Sequence, residues 1–380
     1  MKSRIDTASS TTGESANKNQ HENIITPRLQ LVAWEITRTC NLFCAHCRAS
    51  ASDAQYSGEL TTEECFQVIE EILEVGKPII ILTGGEPLVR QDIFQIAKYA
   101  VNRGLRVVVG SNGTLITREM ADKLKQIPIS RIAISVDFPL ADLQNEFRGQ
   151  VGAYEAAMIG IGNLGQAGID VQINSTITKM NIPYLDELLS LVLRVGAVAF
   201  HPFMLVAAGR GKDLTSEELS PEKYEEVLTW IYDRQMEMGD KVSIRPTDVP
   251  HFQRVIKQRQ KGQATPVIEK TNQTTSHHPA NHVVRGCLAG TGFSFISHRG
   301  RVQGCGYLDV EAGDLRKNSF SKIWADSSLF DHLRDLSNLK GKCGLCEYKR
   351  ICGGCRARAF EATGDCFEAE PYCIYQPVRQ

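Results

Sequence analysis

Three closely spaced cysteines follow residues 30–36, a run that is typical of a buried β-strand. The spacing of Cys40, Cys44 and Cys47, C-x3-C-x2-C, allows a loop that leaves a strand end to bring three thiolates together. Three thiolates can ligate three irons of a [4Fe-4S] cluster, which leaves the fourth iron free to bind a small molecule. A zinc site is an alternative, because His46 lies inside the motif and structural zinc takes four protein ligands. A redox-active C-x-x-C pair is a second alternative.

Beyond this loop, predicted helices and strands alternate along the chain, as they do in α/β proteins. Such alternation indicates a parallel sheet with right-handed crossover connections. Counting the strand before Cys40, six strands are predicted, which favours a partial (β/α)6 barrel of the TIM type. The active sites of such barrels form at the C-terminal ends of the strands. The predicted strands cover residues 78–82, 106–109, 131–136, 170–176 and 197–203, and the predicted helices cover residues 61–75, 91–102, 117–126, 153–167, 184–195 and 216–238.

Polar residues close several of these predicted strands, where a barrel would carry its active site. Gly84 and Gly85 allow the backbone to approach a ligand closely, and Glu86 offers an acceptor for an ammonium group. Arg148 offers a bidentate partner for a carboxylate. Each such residue alone is more often part of a turn or a cap, so the prediction depends on their joint position at strand ends. The remaining candidates at strand ends are Asn112, Ser135, Asp137 and Asn174.

The three-cysteine loop resembles the cluster loop of the radical S-adenosylmethionine (SAM) enzymes, C-x3-C-x-aromatic-C, with His46 in the aromatic position. The resemblance implies that the open iron of a [4Fe-4S] cluster on Cys40, Cys44 and Cys47 binds the amino and carboxylate groups of SAM. One electron then cleaves SAM to methionine and a 5′-deoxyadenosyl radical, which abstracts hydrogen from an unactivated carbon. The resemblance also assigns Gly84, Gly85 and Glu86 to the amino group of SAM, places Ser135, Asp137 and Asn174 near its ribose and carboxylate, and makes Asn112 and Arg148 further candidates for the same cofactor.

A second group of cysteines occupies the C-terminal part of the chain. Two C-x2-C pairs are separated there by five residues, whereas a zinc ribbon separates its pairs by about 15–20. The group resembles the SPASM auxiliary-cluster domain of radical SAM enzymes, which implies one or two auxiliary [4Fe-4S] clusters. An auxiliary cluster can accept an electron from a substrate radical, and it can also staple a small domain. The resemblance assigns Cys343, Cys346, Cys352 and Cys373 to one cluster. It assigns Cys287, Cys305 and Cys355 to another, whose fourth ligand is Cys366, substrate or solvent. The spacing of Cys352 and Cys355 is one residue shorter than is usual for the SPASM domain.

Composition excludes several classes of protein. Forty-three basic and 44 acidic residues give a net charge of −1, which argues against nucleic acid and membrane surfaces as partners. No apolar run approaches the about 18 residues of a spanning helix. The polar N-terminus lacks the apolar core of a secretory signal, so we expect a cytoplasmic protein with reduced thiols. The predicted division is a disordered tail over residues 1–27, a barrel over 28–240, a bridging region over 241–284 with a polar loop at 254–278, and the auxiliary-cluster domain over 285–380.

Longer stretches resemble the anaerobic haem synthases of the siroheme-dependent haem pathway, namely residues 27–49, 77–87, 209–214, 285–300 and 352–358. This resemblance implies oxidative decarboxylation of two propionates of iron-coproporphyrin III to vinyl groups, giving haem b, with ferredoxin or flavodoxin as the electron donor. A sister tetrapyrrole enzyme acting on didecarboxysiroheme or making haem d1, a peptide-modifying SPASM enzyme and a non-enzymatic electron carrier are the alternatives. Candidates for binding the four propionates are Arg148, Arg210, Arg245, Arg285, Arg299 and Arg301, and candidates for the porphyrin iron are His201, His251 and His298, although a lone histidine is more often a structural donor.

Overall fold

The computed structural model describes residues 24–262 and 285–378. Within this part of the chain, ten strands form one sheet in the order β10-β9-β8-β1-β2-β3-β4-β5-β6-β7. β8 and β1 to β7 run parallel to one another, whereas β9 is antiparallel to both of its neighbours, β8 and β10. The strands are β1 (Leu31–Thr37), β2 (Ile79–Gly84), β3 (Arg106–Ser111), β4 (Arg131–Ser135), β5 (Val171–Ile177), β6 (Ala199–Met204), β7 (Ser243–Ile244), β8 (Phe293–Ile296), β9 (Arg301–Cys305) and β10 (Leu308–Asp314).

Helices cover the outside of the parallel strands, as expected for a TIM-like barrel. The first begins with a capping box, in which the Thr61 side chain accepts from the backbone N–H of Glu64 and the Glu64 carboxylate accepts from that of Thr61. None of the helices in the described ranges combines the length and the apolar content needed to cross a membrane. The helices are α1 (Thr62–Val75), α2 (Ile93–Asn102), α3 (Arg118–Lys125), α4 (Ala141–Arg148), α5 (Ala153–Gln166), α6 (Leu185–Arg194), α7 (Pro221–Met238), α8 (Phe252–Gly262), α9 (Phe320–Asp326), α10 (Ser328–Arg334), α11 (Gly341–Leu345) and α12 (Arg356–Thr363).

Alternation along the strands separates an outer core from the barrel lumen. Ile80 and Leu82 of β2 are fully buried in the core beneath α1 and α2, whereas the intervening Ile79 and Ile81 are only half-buried. Because successive side chains of a strand point to opposite faces, the half-buried set lines the lumen. The α/β barrel predicted from the sequence is therefore confirmed, with its strand ends within about two residues of the predicted ones.

The barrel wall contains more strands than the sequence predicted. β8, from the C-terminal region, pairs in parallel with β1, so that Leu31 lies beside Phe293 and Trp34 beside Ile296. Trp34, Ile296 and Phe320 share one hydrophobic core. The six-stranded prediction was therefore incomplete: β7 and β8 extend the parallel wall to eight strands.

The bridging region is more ordered than predicted. β7 and α8 occupy its first half, so the polar loop predicted from residue 254 is wrong up to Gly262, and residues 263–278 lie outside the described residues. The predicted tail over residues 1–27 likewise lies outside them as far as residue 23. At its end, Ile24 forms an antiparallel bridge with Asp335, and the Ile25 N–H donates to the Arg334 carbonyl over 2.8 Å.

Candidate active site

The glycine pair at the end of β2 lies directly against the backbone that leads into the first cysteine. The Gly85 N–H donates to the Thr37 carbonyl over 2.8 Å, and the Glu86 N–H donates to the Thr39 carbonyl over 2.9 Å. A Cβ atom on Gly85 would lie only 2.3 Å from the Thr39 carbonyl oxygen. The close approach expected for these glycines is therefore made to the chain just before Cys40, which fixes where the three-cysteine loop begins.

Glu86 is fully buried and is held by the end of β3. Its carboxylate accepts from the Asn112 N–H over 2.7 Å, from the Ser111 hydroxyl over 2.9 Å and from the Leu88 N–H over 3.1 Å. Burial raises the pKa of Glu86 to about 7, against the opposing effect of these hydrogen bonds. Asn112 in turn places its Nδ2 atom 4.0 Å from the Cys40 sulfur. Glu86 thus connects the second and third strand ends to the cysteine loop.

The three cysteines form one buried group at the C-terminal end of β1. Cys40 and Cys44 are buried and Cys47 is half-buried. The Leu42 N–H donates to the Cys40 sulfur and the Ala51 N–H to the Cys47 sulfur, each over 3.4 Å. N–H groups aimed at the sulfurs are the environment that tunes and holds an iron–sulfur cluster.

Asp137 and Arg148 meet beside the second cysteine. They form a buried ion pair, and the Arg148 Nη1 atom lies 3.9 Å from the Cys44 sulfur. The second carboxylate oxygen of Asp137 accepts from the Thr176 N–H over 2.7 Å. The structure therefore brings together residues from the ends of β4 and β5 and from α4, as the prediction for a SAM site requires. Ser135 and Asn174 lie on the same edge, as cross-strand neighbours.

Arg148 owes its position to α4, which the sequence analysis missed. This helix ends at Gly149, whose φ of +69° is left-handed, and a Cβ atom there would lie 2.4 Å from the Phe43 carbonyl oxygen. Just before it, the Phe147 ring stacks on His46 with centroids 4.4 Å apart. The end of α4 therefore packs on the three-cysteine loop itself, and His46 occupies the aromatic position of the motif as a stacking partner.

Gly209 and Arg210 hold the loop from its other side. The Arg210 Nε atom donates to the Cys44 carbonyl over 2.9 Å, and its Nη1 atom donates to the Ala51 carbonyl over 2.7 Å. Gly209 has a φ of +57°, and a Cβ atom there would lie 2.2 Å from the Arg48 carbonyl oxygen. Arg210, one of the arginines considered for propionates, is therefore used to fix the cysteine loop.

Glu35, which the sequence analysis did not single out, links the loop to the C-terminal region. Its fully buried carboxylate accepts from Arg48 over 2.7 Å and Arg38 over 3.1 Å, and it contacts the His298 Nδ1 atom at 2.6 Å. Burial alone would raise the pKa of Glu35, but these neighbours outweigh it and hold the pKa well below its usual range. Arg48 also donates to the Gly306 carbonyl over 3.2 Å. In the sequence, the signal that could have identified Glu35 was a single acidic residue within an otherwise largely apolar strand.

Asp248 and Tyr307 lie between the two cysteine groups. Asp248 has a left-handed φ of +60°, which is uncommon for a residue other than glycine, and one buried carboxylate oxygen has no hydrogen-bond partner within the described residues. Burial raises its pKa to about 6. Burial likewise raises the pKa of Tyr307, and the thiols of Cys305 and Cys47 both act electrostatically on it. No local sequence pattern singles out either residue.

The structure brings four of the C-terminal cysteines to one cavity, and the two-cluster pairing implied by the SPASM resemblance stays a prediction. One set lines a cavity of about 400 Å³ that is open to solvent, and backbone N–H groups donate to two of its sulfurs, 3.3 Å to Cys343 and 3.4 Å to Cys352. Cys287 lines a neighbouring cavity of about 270 Å³ together with Arg285. Within residues 24–262 and 285–378, no three His, Cys, Asp or Glu side chains converge on a single-ion site. Thiols arranged around a cavity suit a multi-iron cluster. The first set is Cys343, Cys346, Cys352 and Cys373.

The predicted second set comprises Cys287, Cys305 and Cys355. Cys305 and Cys355 both lie in the field of Cys287, and the Tyr307 N–H donates to the Cys305 sulfur over 3.5 Å. Cys366 also lies near Cys287, so it remains a candidate for the fourth ligand.

Among the candidates for binding porphyrin iron, His298 is engaged by Glu35. His251 is buried against the Tyr224 ring, with centroids 5.0 Å apart.

Comparisons with known proteins agree with this geometry. Residues 34–192 match the Radical SAM superfamily, and residues 287–356 match SPASM, an iron-sulfur cluster-binding domain. The chain is 45% identical over 351 residues to the "AdoMet-dependent heme synthase" of Methanosarcina barkeri, covering 92% of this chain and 98% of that protein. It is 44% identical over 354 residues to the protein of the same name in Oleidesulfovibrio alaskensis, covering 93% and 89%.

A solved structure shares the fold. Streptococcus suis SuiB bound to S-adenosylmethionine superposes with a TM-score of 0.72 at 16% identity, covering 94% of this chain and 80% of that one. The fold class, the radical SAM and SPASM resemblances and the dependence on SAM and iron–sulfur clusters are therefore confirmed. The chain belongs to the family of the AdoMet-dependent heme synthases, within the radical SAM superfamily.

Proposed function

We propose that this protein oxidatively decarboxylates two propionate side chains of iron-coproporphyrin III to vinyl groups, giving haem b. The observation that carries the proposal is the near full-length similarity to heme synthases of the same family. The site supports it, because Arg48, next to Cys47, donates to the carbonyl of Gly306, next to Cys305, and so links the two cysteine groups. A low-potential protein such as ferredoxin or flavodoxin is the electron donor that this chemistry needs.

The reaction can be balanced on one propionate. When bound, the clusters and SAM supply one-electron chemistry: one hydrogen atom leaves the β-carbon, CO2 leaves the α-carbon, and one electron departs as the vinyl group forms. An iron–sulfur cluster in the C-terminal cysteine group is a chemically suitable acceptor for that electron, since cluster potentials span about −700 to +450 mV.

The chain's own residues have positioning roles in this proposal. Cys40, Cys44 and Cys47 hold the SAM-binding cluster, and Gly85 fixes where their loop begins. The Asp137–Arg148 pair orients the Cys44 side of the loop. The cofactor-facing residues proposed from the family resemblance are Gly84, Gly85, Glu86, Asn112, Ser135, Asp137, Arg148 and Asn174.

An anaerobic turnover assay tests the proposal directly. The reconstituted protein, SAM, a low-potential reductant and iron-coproporphyrin III should give haem b and about two CO2 per porphyrin, one for each vinyl group. Didecarboxysiroheme and a haem d1 precursor, assayed side by side, separate the sister tetrapyrrole activities. Conversion of either of these with no haem b from iron-coproporphyrin III, in protein with its full iron content, would overturn the substrate assignment.

A second test concerns the set of four C-terminal cysteines. Cys343→Ala and Cys373→Ala should each lower bound iron by about four atoms per chain, the content of one cluster. SAM cleavage should persist, whereas haem b formation should stop for want of the auxiliary cluster. Cys65→Ala is the matched control, because Cys65 lies on the buried face of α1 and belongs to neither group. Unchanged iron and turnover in both variants would exclude these cysteines as essential ligands.

A further inference from the structure

A row of polar side chains crosses four neighbouring strands inside the barrel. The Arg131 Nη1 atom of β4 donates to the Gln172 Oε1 atom of β5 over 3.2 Å, and the Gln172 Nε2 atom donates to the Asn174 Oδ1 atom over 2.6 Å. Asn174 lies beside His201 of β6 in the sheet register. Arg245 directly follows Ile244 of β7, the partner of Phe200, and therefore lies next to His201. We call Arg131, Gln172, Asn174, His201 and Arg245 the lumen row.

The row faces the lumen. The residues that alternate with it on the same strands, Ile132, Ile173, Phe200 and Ile244, are buried in the outer core beneath α5, α6 and α7. Successive side chains of a strand point to opposite faces, so the row lies on the inner face. Its upper part, at Asn174, reaches the edge where the cysteine loop lies.

The row carries positive charge and contains no carboxylate. Within residues 24–262 and 285–378, neither Arg131 nor Arg245 forms an ion pair, and the buried Arg131 Nε atom has no hydrogen-bond partner. Burial lowers the pKa of Arg131. The charge of Asp170 raises that pKa, and the charges of Arg106 and Arg245 lower it. Burial, followed by the charges of Arg131 and Arg245, lowers the pKa of His201 to about 3. The positive charges of Arg131 and Arg245 are therefore both felt at His201, in one region of the lumen.

Such a region suits an anion. The half-buried Arg131 and the exposed Arg245 both lack an acidic partner within the described residues, and the planar fork of arginine matches a carboxylate. Three of the other arginines considered for propionates are engaged elsewhere: Arg148 with Asp137, Arg299 with the Ser57 carbonyl over 3.0 Å, and Arg301 with Glu311 over 2.7 Å. Arg285 has two buried nitrogens without a hydrogen-bond partner in the described residues, but it lines the cavity of Cys287 rather than the barrel lumen.

We infer that the lumen row, through Arg131 and Arg245, binds a carboxylate of the substrate, which under the proposed function is a propionate of iron-coproporphyrin III. Held at the row, this propionate anchors the edge of the porphyrin inside the barrel, below the SAM site. Arg131 and Arg245 are thus substrate-binding residues, and the chemical class of ligand is a tetrapyrrole carboxylate.

Binding and turnover variants test this inference. Arg131→Gln and Arg245→Gln should each raise the dissociation constant for iron-coproporphyrin III about tenfold, because each removes a charge-assisted hydrogen bond. Binding is followed by absorption titration of the cluster-loaded protein under anaerobic conditions. Arg301→Gln is the matched control, because its guanidinium pairs with an exposed glutamate on the antiparallel part of the sheet. Iron content, thermal unfolding and substrate-free SAM cleavage should match the wild type in all three variants.

The outcomes separate this inference from the proposed function. Wild-type protein that neither binds nor converts iron-coproporphyrin III would defeat the proposed function itself. Wild-type conversion combined with wild-type affinity in both variants would overturn the lumen row as the carboxylate site and leave the function standing. Arg245 is exposed, so Arg245→Gln remains informative even if Arg131→Gln does not fold.

Discussion

At the scale of single residues, Glu35 shows how one buried charge organises the site. It is the only acidic residue of β1, and it receives donors from the strand end, from the cysteine loop and from the turn after β8. A buried carboxylate is tolerated only when its neighbours satisfy it. Glu35 is therefore a positioning residue, because it acts on the cysteines through Arg48.

Glu35→Gln should destabilise the protein by about 3 kcal/mol, because Arg48 keeps its charge without a partner in a buried setting. Folding lowers the Glu35 pKa, so its stabilisation is present above the ordinary value of 4.5 and is lost as the pH falls through the lowered value. Urea unfolding of cluster-free protein between pH 3.5 and about 7 measures both effects. The wild type should lose its advantage over the variant towards the acid end. A constant difference across that range would contradict this role.

Gly85→Ala tests the close approach between β2 and the start of the cysteine loop. The added Cβ would lie 2.3 Å from one backbone oxygen and 2.5 Å from another, and neither can move without shifting the loop. We expect a loss of about 1–3 kcal/mol in unfolding free energy and a lower iron content at the first site. Gly162→Ala is the control: on α5 its Cβ meets nothing within 4 Å, so the change should stabilise by up to about 1 kcal/mol.

Much of the site was predictable at this scale, and the reason is local chemistry. The cysteine spacing and the residues Gly84 to Glu86 are contiguous motifs that a sequence displays directly. The contacts of Arg210, the left-handed Asp248 and the pairing of Glu35 with His298 depend on residues far apart in sequence. These contacts form only when the barrel closes, so no local sequence pattern specifies them.

At the scale of elements, helices with a clear apolar face were predictable, whereas α4 and the shortest strands were not. α1 and α6 display clear apolar faces, whereas α4 buries only Gln144, Phe147 and Arg148 and has no apolar repeat. β7 has two residues and β8 has four, too few for periodicity to be read. These missed elements are the ones that attach the barrel to the cysteine loop and to the C-terminal region.

α12 docks on the barrel through one buried arginine. The Arg358 guanidinium donates to the Met204 carbonyl over 2.9 Å, to the Leu205 carbonyl over 3.2 Å and to the Asp248 carbonyl over 2.6 Å. Arg358→Ala should cost about 3 kcal/mol of unfolding free energy, since three carbonyls lose a charged donor. Arg194→Ala on the exposed face of α6 should change it by less than about 0.5 kcal/mol. Equal denaturation midpoints for the two variants would show that α12 docks by other contacts.

At the scale of the whole molecule, the radical SAM and SPASM regions form one folded unit. β8 pairs with β1, and Trp34, Ile296 and Phe330 share a core. The domain boundary predicted at residue 285 stays a prediction, and the wall of strands runs across it, because β8 lies beyond it and pairs with β1. Sequence motifs identify families, but they do not determine which distant strands pair, because that pairing depends on tertiary packing.

A fragment ending at Gly262 tests this unity. It lacks β8, which leaves the edge of β1 unpaired and removes Ile296 and Phe330 from the core that contains Trp34. We expect the fragment to show no sharp thermal transition by circular dichroism, in contrast to the full chain, because an open apolar sheet edge does not form a stable core. A cooperative transition in the fragment would show that the barrel folds alone.

The place of β8 in the barrel has a consequence for how the protein is made on the ribosome. The wall beside β1 is completed only after Ile296 has been synthesised, 249 residues beyond Cys47. At about 5–20 residues per second, translation of that interval takes about 12–50 s. The cysteine loop also lacks the support that Arg48 takes from Gly306 until that residue has been synthesised. Iron delivery is therefore expected to act on the finished chain, after translation has ended.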